Sequence, residues 1–172
     1  MKMFVFMNPD AKIDEVKAAC AKAEKEGYDS ICVPQWLVST AADALTATKV
    51  AVVTLIGLPG GTTSSFAKFA EAKQAVANGA NKIIIPVNMQ MCVNGNLDGA
   101  KSDLSAALVA GKTILANKNG VEIAALVDGA ELGDEQLKAV AKMCVAANVS
   151  EVMIAHSDAL ELAKEIPAVV AF

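Results

Sequence analysis

His156, Ser157 and Asp158 stand in a row near the end of the sequence, and the first of them is the chain's one histidine. An imidazole exchanges protons near neutrality more readily than any other side chain, so His156 is a candidate general acid or base. The same three residues also read as the opening of a helix with Ser157 as its N-cap. A serine triad is excluded, because three adjacent residues cannot take up the relay geometry. Asp128 and Glu131, in the run ALVDGAELGDEQL, can polarise a ligand hydroxyl, and a carboxylate in that place can equally cap the next helix. With Asp128 and His156 as the candidate catalytic pair, Asn88, Trp36, Glu131 and Ser157 are the candidate ligand-binding residues.

The other reactive side chains carry bland readings. Cys20, Cys32, Cys92 and Cys144 form no CxxC pair, and three of them sit in apolar runs where a free cysteine behaves as a small hydrophobe. Cys92, in the loop-like QMCVNGN, is the one candidate for a reactive thiol. Lys82 opens a strand and reads as an exposed charge, and Lys112, Lys118 and Lys164 read as solvated. The GLPGGTT run lacks the Gly-Lys-Ser/Thr ending of a P-loop and the spacing of a dinucleotide fingerprint, so its glycines read as a tight strand-to-helix turn. No metal ligand set and no cofactor motif stands out.

Composition narrows the partners. All fifteen basic residues are lysines and the net charge is −4, so the forked guanidinium that suits phosphates is missing and a nucleic-acid partner is not expected. The opening MKMFVFMNPD has an apolar run too short for a signal-peptide core, and no stretch approaches a membrane span, so no membrane partner and a cytoplasmic location are expected. With 172 residues, 54% of them apolar, the chain reads as one domain over 1–172 with a sizeable core.

The elements that must position these residues follow one repeated device. Helical stretches end in Gly or Asn, and a β-branched apolar run follows within a few residues: EKEGYDSICV, VANGANKIIIPV, NKNGVEIAALV, AANVSEVMIA. Gly or Asn there supplies a left-handed C-terminal cap, and the runs suit strands buried on both faces of a parallel sheet. The pattern predicts alternating strands and helices, with strands near 3–7, 30–33, 50–56, 82–87, 121–127, 151–155 and 168–172. Between them, Ile13, Val16, Ala19, Cys20 and Ala23, then Phe66, Phe69, Ala70 and Val76, then Leu137, Val140, Ala141 and Cys144 recur at helical spacing and read as core.

Three stretches together resemble one family. NPDAKIDEVKAACAKAEKEGYDSICVPQWL, VVTLIGLPGGTTSSFAKFAEAKQAVANGANK and VEIAALVDGAELGDEQL are similar to the first helix and second strand, the third strand with its V-I-G-F-P-x-G turn and helix, and the fifth strand of the deoxyribose-phosphate aldolases. The resemblance implies an α/β TIM-barrel-like fold of about seven parallel strands, incomplete at its C-terminal end since the sequence stops at Phe172. In such a barrel the strands' C-terminal ends form the active face, which is where Asn88, Asp128 and His156 would meet.

The departures from that family fall on its chemistry. Where its sixth strand carries the Schiff-base lysine, this sequence reads Val152, Met153, Ile154, and a methionine cannot form an imine. The fourth-strand aspartate is replaced by Ile84, and the seventh strand, AVVAF, has no lysine. The expectation is a diverged relative without Schiff-base activity that binds a small polar metabolite at the strand ends. Lysine-free chemistry through His156 and Asp128, and an oligomeric protein with a vestigial pocket, are the alternatives. Open first and last strands predict a homo-oligomer, or closure by direct pairing of those two strands.

Overall fold

A computed structural model describes residues 2–114 and 120–171, with side chains described up to Val109 and again from Gly120. Lys118 and Phe172 lie outside the described residues, and so does the side chain of Lys112. Seven strands follow one another in the order of the sequence: β1 (Met3–Val5), β2 (Ser30–Cys32), β3 (Ala51–Leu55), β4 (Lys82–Pro86), β5 (Glu122–Asp128), β6 (Glu151–Ala155) and β7 (Val169–Ala171). Each pairs in parallel with the next, as the both-sides-apolar runs require. The described residues contain no ladder between β1 and β7, so closure by pairing of the first and last strands does not occur and the curled sheet stays open there.

The crossovers are α1 (Ile13–Lys25), α2 (Val38–Leu45), α3 (Ser65–Ala77), the short α4 (Met89–Val93) with α5 (Leu97–Ile114), α6 (Asp134–Ala146) and α7 (Ala159–Glu165). Three of the four expected caps are found, with positive φ at Gly27 after α1, Gly79 after α3 and Asn148 after α6; the one expected in NKNG falls largely outside the described residues.

Strand alternation sorts the core into two layers. Ile31, Val52, Ile83, Ile85, Ile123, Val152 and Ile154 face the helices and join their apolar stripes in one large cluster. Cys32, Val53, Ile84, Ala124 and Met153 point the other way and form a second cluster, joined by Met3, Met7, Leu55 and Leu126. That second cluster contains no helix residue, so the sheet is curled around its own side chains, which is the barrel arrangement and not a sheet with helices on both faces.

Two expectations about burial are corrected. In α3 the buried face is Lys68, Ala72 and Ala75, while Phe66 is 80% exposed and Ala70 is exposed. The helix turns its small residues toward α5 so that the two helices pack closely, and Phe69 and Val76 only flank the core. In α1 the stripe holds except for Ile13, which is exposed, and in α6 it holds throughout.

Lys82 is the second correction, since it is 3% exposed instead of solvated. Its ammonium pairs with the Glu151 carboxylate, two strands away at the lower end of the concave face. The concave residue of β5 level with Glu151 is the small Ala124. A buried cation needs such a partner, and Glu151 supplies it.

Candidate functional site at the strand ends

The loop from β3 to α3, Gly57 to Ser64, is the most elaborate structure at the C-terminal end of the sheet. Gly57 and Gly61 both have φ near +71°. A Cβ on Gly61 would run into the carbonyl oxygens of Pro86 and Val87, so the loop lies directly on the end of β4 and only glycine fits. β3 pairs with β4 only as far as Leu55 and Ile84, so Pro86 sits beyond its last β3 partner while still level with Leu126.

Side chains from the helices hold this loop from behind. The Gly57 amide donates to Glu71 Oε2 at 2.7 Å, and the Gly61 amide donates to the Gly57 carbonyl at 3.0 Å. Lys68, completely buried, donates from Nζ to the Gly61 carbonyl at 2.6 Å and to Asp103 Oδ2. Asp103 in α5 is 5% exposed and also accepts from Ser65 Oγ at 2.6 Å. With the Gly57 amide held by Glu71 of α3 and the Gly61 amide by the Gly57 carbonyl, GLPGGTT forms a turn, as expected, rather than a phosphate cradle. Ser64 caps α3, its side chain accepting from the Ala67 amide.

Asn88 and Asp128 both lie at this end. The β4–β5 register ends with Pro86 opposite Leu126; Asp128, two residues on in β5, shares the concave side of Leu126, and Asn88 follows two residues after the end of β4. Asn88 is 8% exposed and is the N-cap of α4, its Oδ1 accepting from the Met91 amide at 3.2 Å. Asp128 is exposed, and its Oδ1 accepts from the Ala130 amide at 3.3 Å in a local turn. Met7, Leu55 and Leu126, partly buried, form the apolar floor below them.

His156 is brought next to Asp128 in sequence register but not in direction. Asp128 pairs with Ala155, so His156 falls opposite Gly129. A Cβ on Gly129 would sit 3.1 Å from His156 Cβ, 3.2 Å from Cδ2 and 3.0 Å from Leu137 of α6, which puts the imidazole on the helix side of the sheet. Its Nδ1 accepts from the Asp158 amide at 3.1 Å, which fixes the neutral ring as the Nε2–H tautomer by hydrogen-bond assignment. The Asp158 carboxylate lies 3.4 Å from the same nitrogen and is placed to take an imidazolium.

The remaining candidates are dispersed. Ser157 is exposed, and its Oγ donates to Asp158 Oδ1 at 3.4 Å. It is not the N-cap of α7, since that position is Asp158 and no side-chain cap bond forms. Glu131 is exposed in the turn after β5. Trp36 lies in a single 3-10 turn, Gln35–Leu37, and is 79% exposed beside α3, outside the mouth where it was expected to pack. Cys92 is not in a loop either: it is buried in α4, and burial raises its thiol pKa. Among the described residues no group of three or more His, Cys, Asp or Glu side chains is arranged to hold a metal ion.

Met153 occupies the centre of the concave face. It is 5% exposed and packs with Cys32, Val53, Ile84 and Ala124. A protein of Brevibacillus brevis named deoxyribose-phosphate aldolase is 32% identical over 109 residues, 63% of this chain and 49% of that protein. Its counterpart in Microcystis aeruginosa is 30% identical over 142 residues, covering 83% and 60%. Among solved structures, a Coccidioides immitis protein assigned to the deoxyribose-phosphate aldolases superposes with a TM-score of 0.82 at 23% identity, covering 90% of this chain and 58% of that one. This chain is a diverged relative of the deoxyribose-phosphate aldolases. It spans about half to three fifths of the length of the two sequence relatives. The aldolase of Aeropyrum pernix, described as having a unique tetrameric structure, shares the fold with a TM-score of 0.73 at 17% identity, covering 89% and 62%. No family model matches the chain.

The aldolase resemblance places the Schiff-base lysine at Met153 and the relay aspartate at Ile84, and the structure puts both side chains in the apolar cluster of the concave face. The two lysines that the structure does bury, Lys68 and Lys82, were not singled out by sequence reasoning as buried. Lys68 had a signal: with Ala72 and Ala75 it forms an i, i+4, i+7 face of its own.

Proposed function

We propose that this protein is an aldolase relative without Schiff-base activity that binds a small, neutral hydroxyl or carbonyl compound at the concave strand ends. The observation that carries the reading is Met153, buried at the heart of the concave face in the position the family resemblance gives to the nucleophilic amine. The buried lysines do not replace it. Lys68 is held by Asp103 and Lys82 by Glu151, and a paired ammonium is not the free amine that attacks a carbonyl.

Asp128 and Asn88 are the polar groups for the ligand, above the apolar floor of Met7, Leu55 and Leu126. A carboxylate and an arginine-free chain suit a hydroxyl better than a phosphate. His156 faces the helix side, which favours binding over acid–base chemistry shared with Asp128. Ser157 and Glu131 border the same strand ends. The outer edges of β1 and β7, with Val5 54% and Val170 43% exposed, support association with further copies of the chain. The four unpaired, buried thiols suit a reducing compartment such as the cytoplasm. Among the described residues no helix is long and apolar enough to cross a membrane.

The test is reductive trapping. Incubation with acetaldehyde or deoxyribose 5-phosphate and borohydride, read by intact mass, should give no stoichiometric adduct. An adduct mapped to Lys82 or Lys68 overturns the reading.

A further inference from the structure

Trp36 is the chain's one tryptophan, and it forms one wall of a surface cleft of about 710 Å³ between the Gln35–Leu37 turn and α3. That volume lies within the roughly 300–1,000 Å³ of small-molecule sites. The other walls are the amides and hydroxyl of Gln35, Ser39, Gln74 and Asn78 and the methyl of Ala70, with Glu71 the charged member among the described lining residues. Glu71 Oε2 accepts the Gly57 amide, which fixes the carboxylate in place at the edge of the cleft.

The amides are held in place. Gln35 Nε2 donates to the Glu71 carbonyl at 2.9 Å, and Gln74 Nε2 donates to Asn78 Oδ1 at 2.9 Å. This leaves Oε1 of Gln35 and Gln74 as acceptors and Nδ2 of Asn78 as a donor for a guest. A flat aromatic face beside fixed amides matches a ring whose one side is C–H and whose edge is hydroxyls. The Glu71 carboxylate, with no cation in the described lining and on a chain of net charge −4, disfavours a phosphorylated guest.

We infer that this cleft is a binding site for a neutral sugar ring, stacked on Trp36 and hydrogen-bonded by Gln35, Gln74 and Asn78. It is separate from the concave strand ends and does not depend on the reading given to them.

The single tryptophan makes the test direct. Titration with glucose or xylose should change Trp36 emission saturably in the millimolar range, the affinity expected of a few neutral contacts on an open surface. Gln74→Ala and Asn78→Ala should each raise the half-saturation concentration about threefold to tenfold, the worth of one neutral hydrogen bond. Trp36→Ala, whose side chain is exposed, should keep the far-ultraviolet circular dichroism and lose sugar binding measured by saturation-transfer NMR. The inference is overturned by unchanged emission with every neutral sugar, by tighter binding of glucose 6-phosphate, by adenine as the preferred guest, or by emission that follows protein concentration alone, which means a second copy covers the cleft.

Discussion

Replacing Lys68 by methionine should be among the most damaging single changes in the chain, although it removes a charge and fills nearly the same volume. The ammonium is completely buried and donates to Asp103 and to the Gly61 carbonyl. Methionine leaves the Asp103 carboxyl, 5% exposed, without its cationic partner and with the Ser65 hydroxyl as its remaining side-chain donor among the described residues. Stranding one member of a buried pair costs about 3–5 kcal/mol, and the orphaned carbonyl accounts for about 1–3 kcal/mol of such a loss. Against a total stability of roughly 5–15 kcal/mol, that is a large fraction. With an m-value of about 2 kcal/mol per molar in urea, a 4 kcal/mol loss lowers the unfolding midpoint by about 2 M. The double variant Lys68→Met with Asp103→Leu removes both charges and should recover at least about half of the loss, because the penalty comes from the unpaired carboxylate and not from the missing attraction. Equilibrium urea unfolding of the wild type, both single variants and the double variant measures this cycle. A single-variant loss below about 1 kcal/mol, or a double variant no better than the sum of the singles, refutes the claim that Lys68 and Asp103 form one buried, mutually dependent unit.

Neighbouring glycines of the same loop should differ sharply. Gly60→Ala has open space for its methyl group and suffers only the positive φ, a loss of about 1–2 kcal/mol, whereas Gly61→Ala must also push into the Pro86 and Val87 carbonyls and should lose clearly more; equal thermal shifts would contradict the seating of the loop on β4. All four thiols should resist labelling in the native protein, since burial pushes Cys32 and Cys144 up to about 12 and raises Cys20 and Cys92; iodoacetamide at pH 8 followed by mass spectrometry should mark none in the time that labels all four in denaturant, and rapid native labelling of Cys92 would contradict its burial in α4.

The order of strands and helices was most legible at β2, β4 and β6, where a buried β-branched run is announced by a Gly or Asn with positive φ: Gly27, Gly79 and Asn148. Hydrophobicity alone misplaced the face of α3, because what that helix buries between itself and α5 is an ion pair flanked by alanines, and the partner Asp103 is 35 residues away. Lys82 was misjudged for the same reason, although its counter-charge was visible: NKIII and SEVMI both open a strand with a charged residue on the concave face. The site depended on a finer quantity. A strand's side chains reverse every residue, so polar residues at successive strand ends meet only if each is in phase with the same face. Asp128 is in phase with Leu126 on the concave face, and His156 is one residue past Ala155, the partner of Asp128. That single step turns the imidazole to the helices, where Asp158 and Gly129 engage it, and it separates the imidazole in direction from the Asp128 carboxylate on the concave rim.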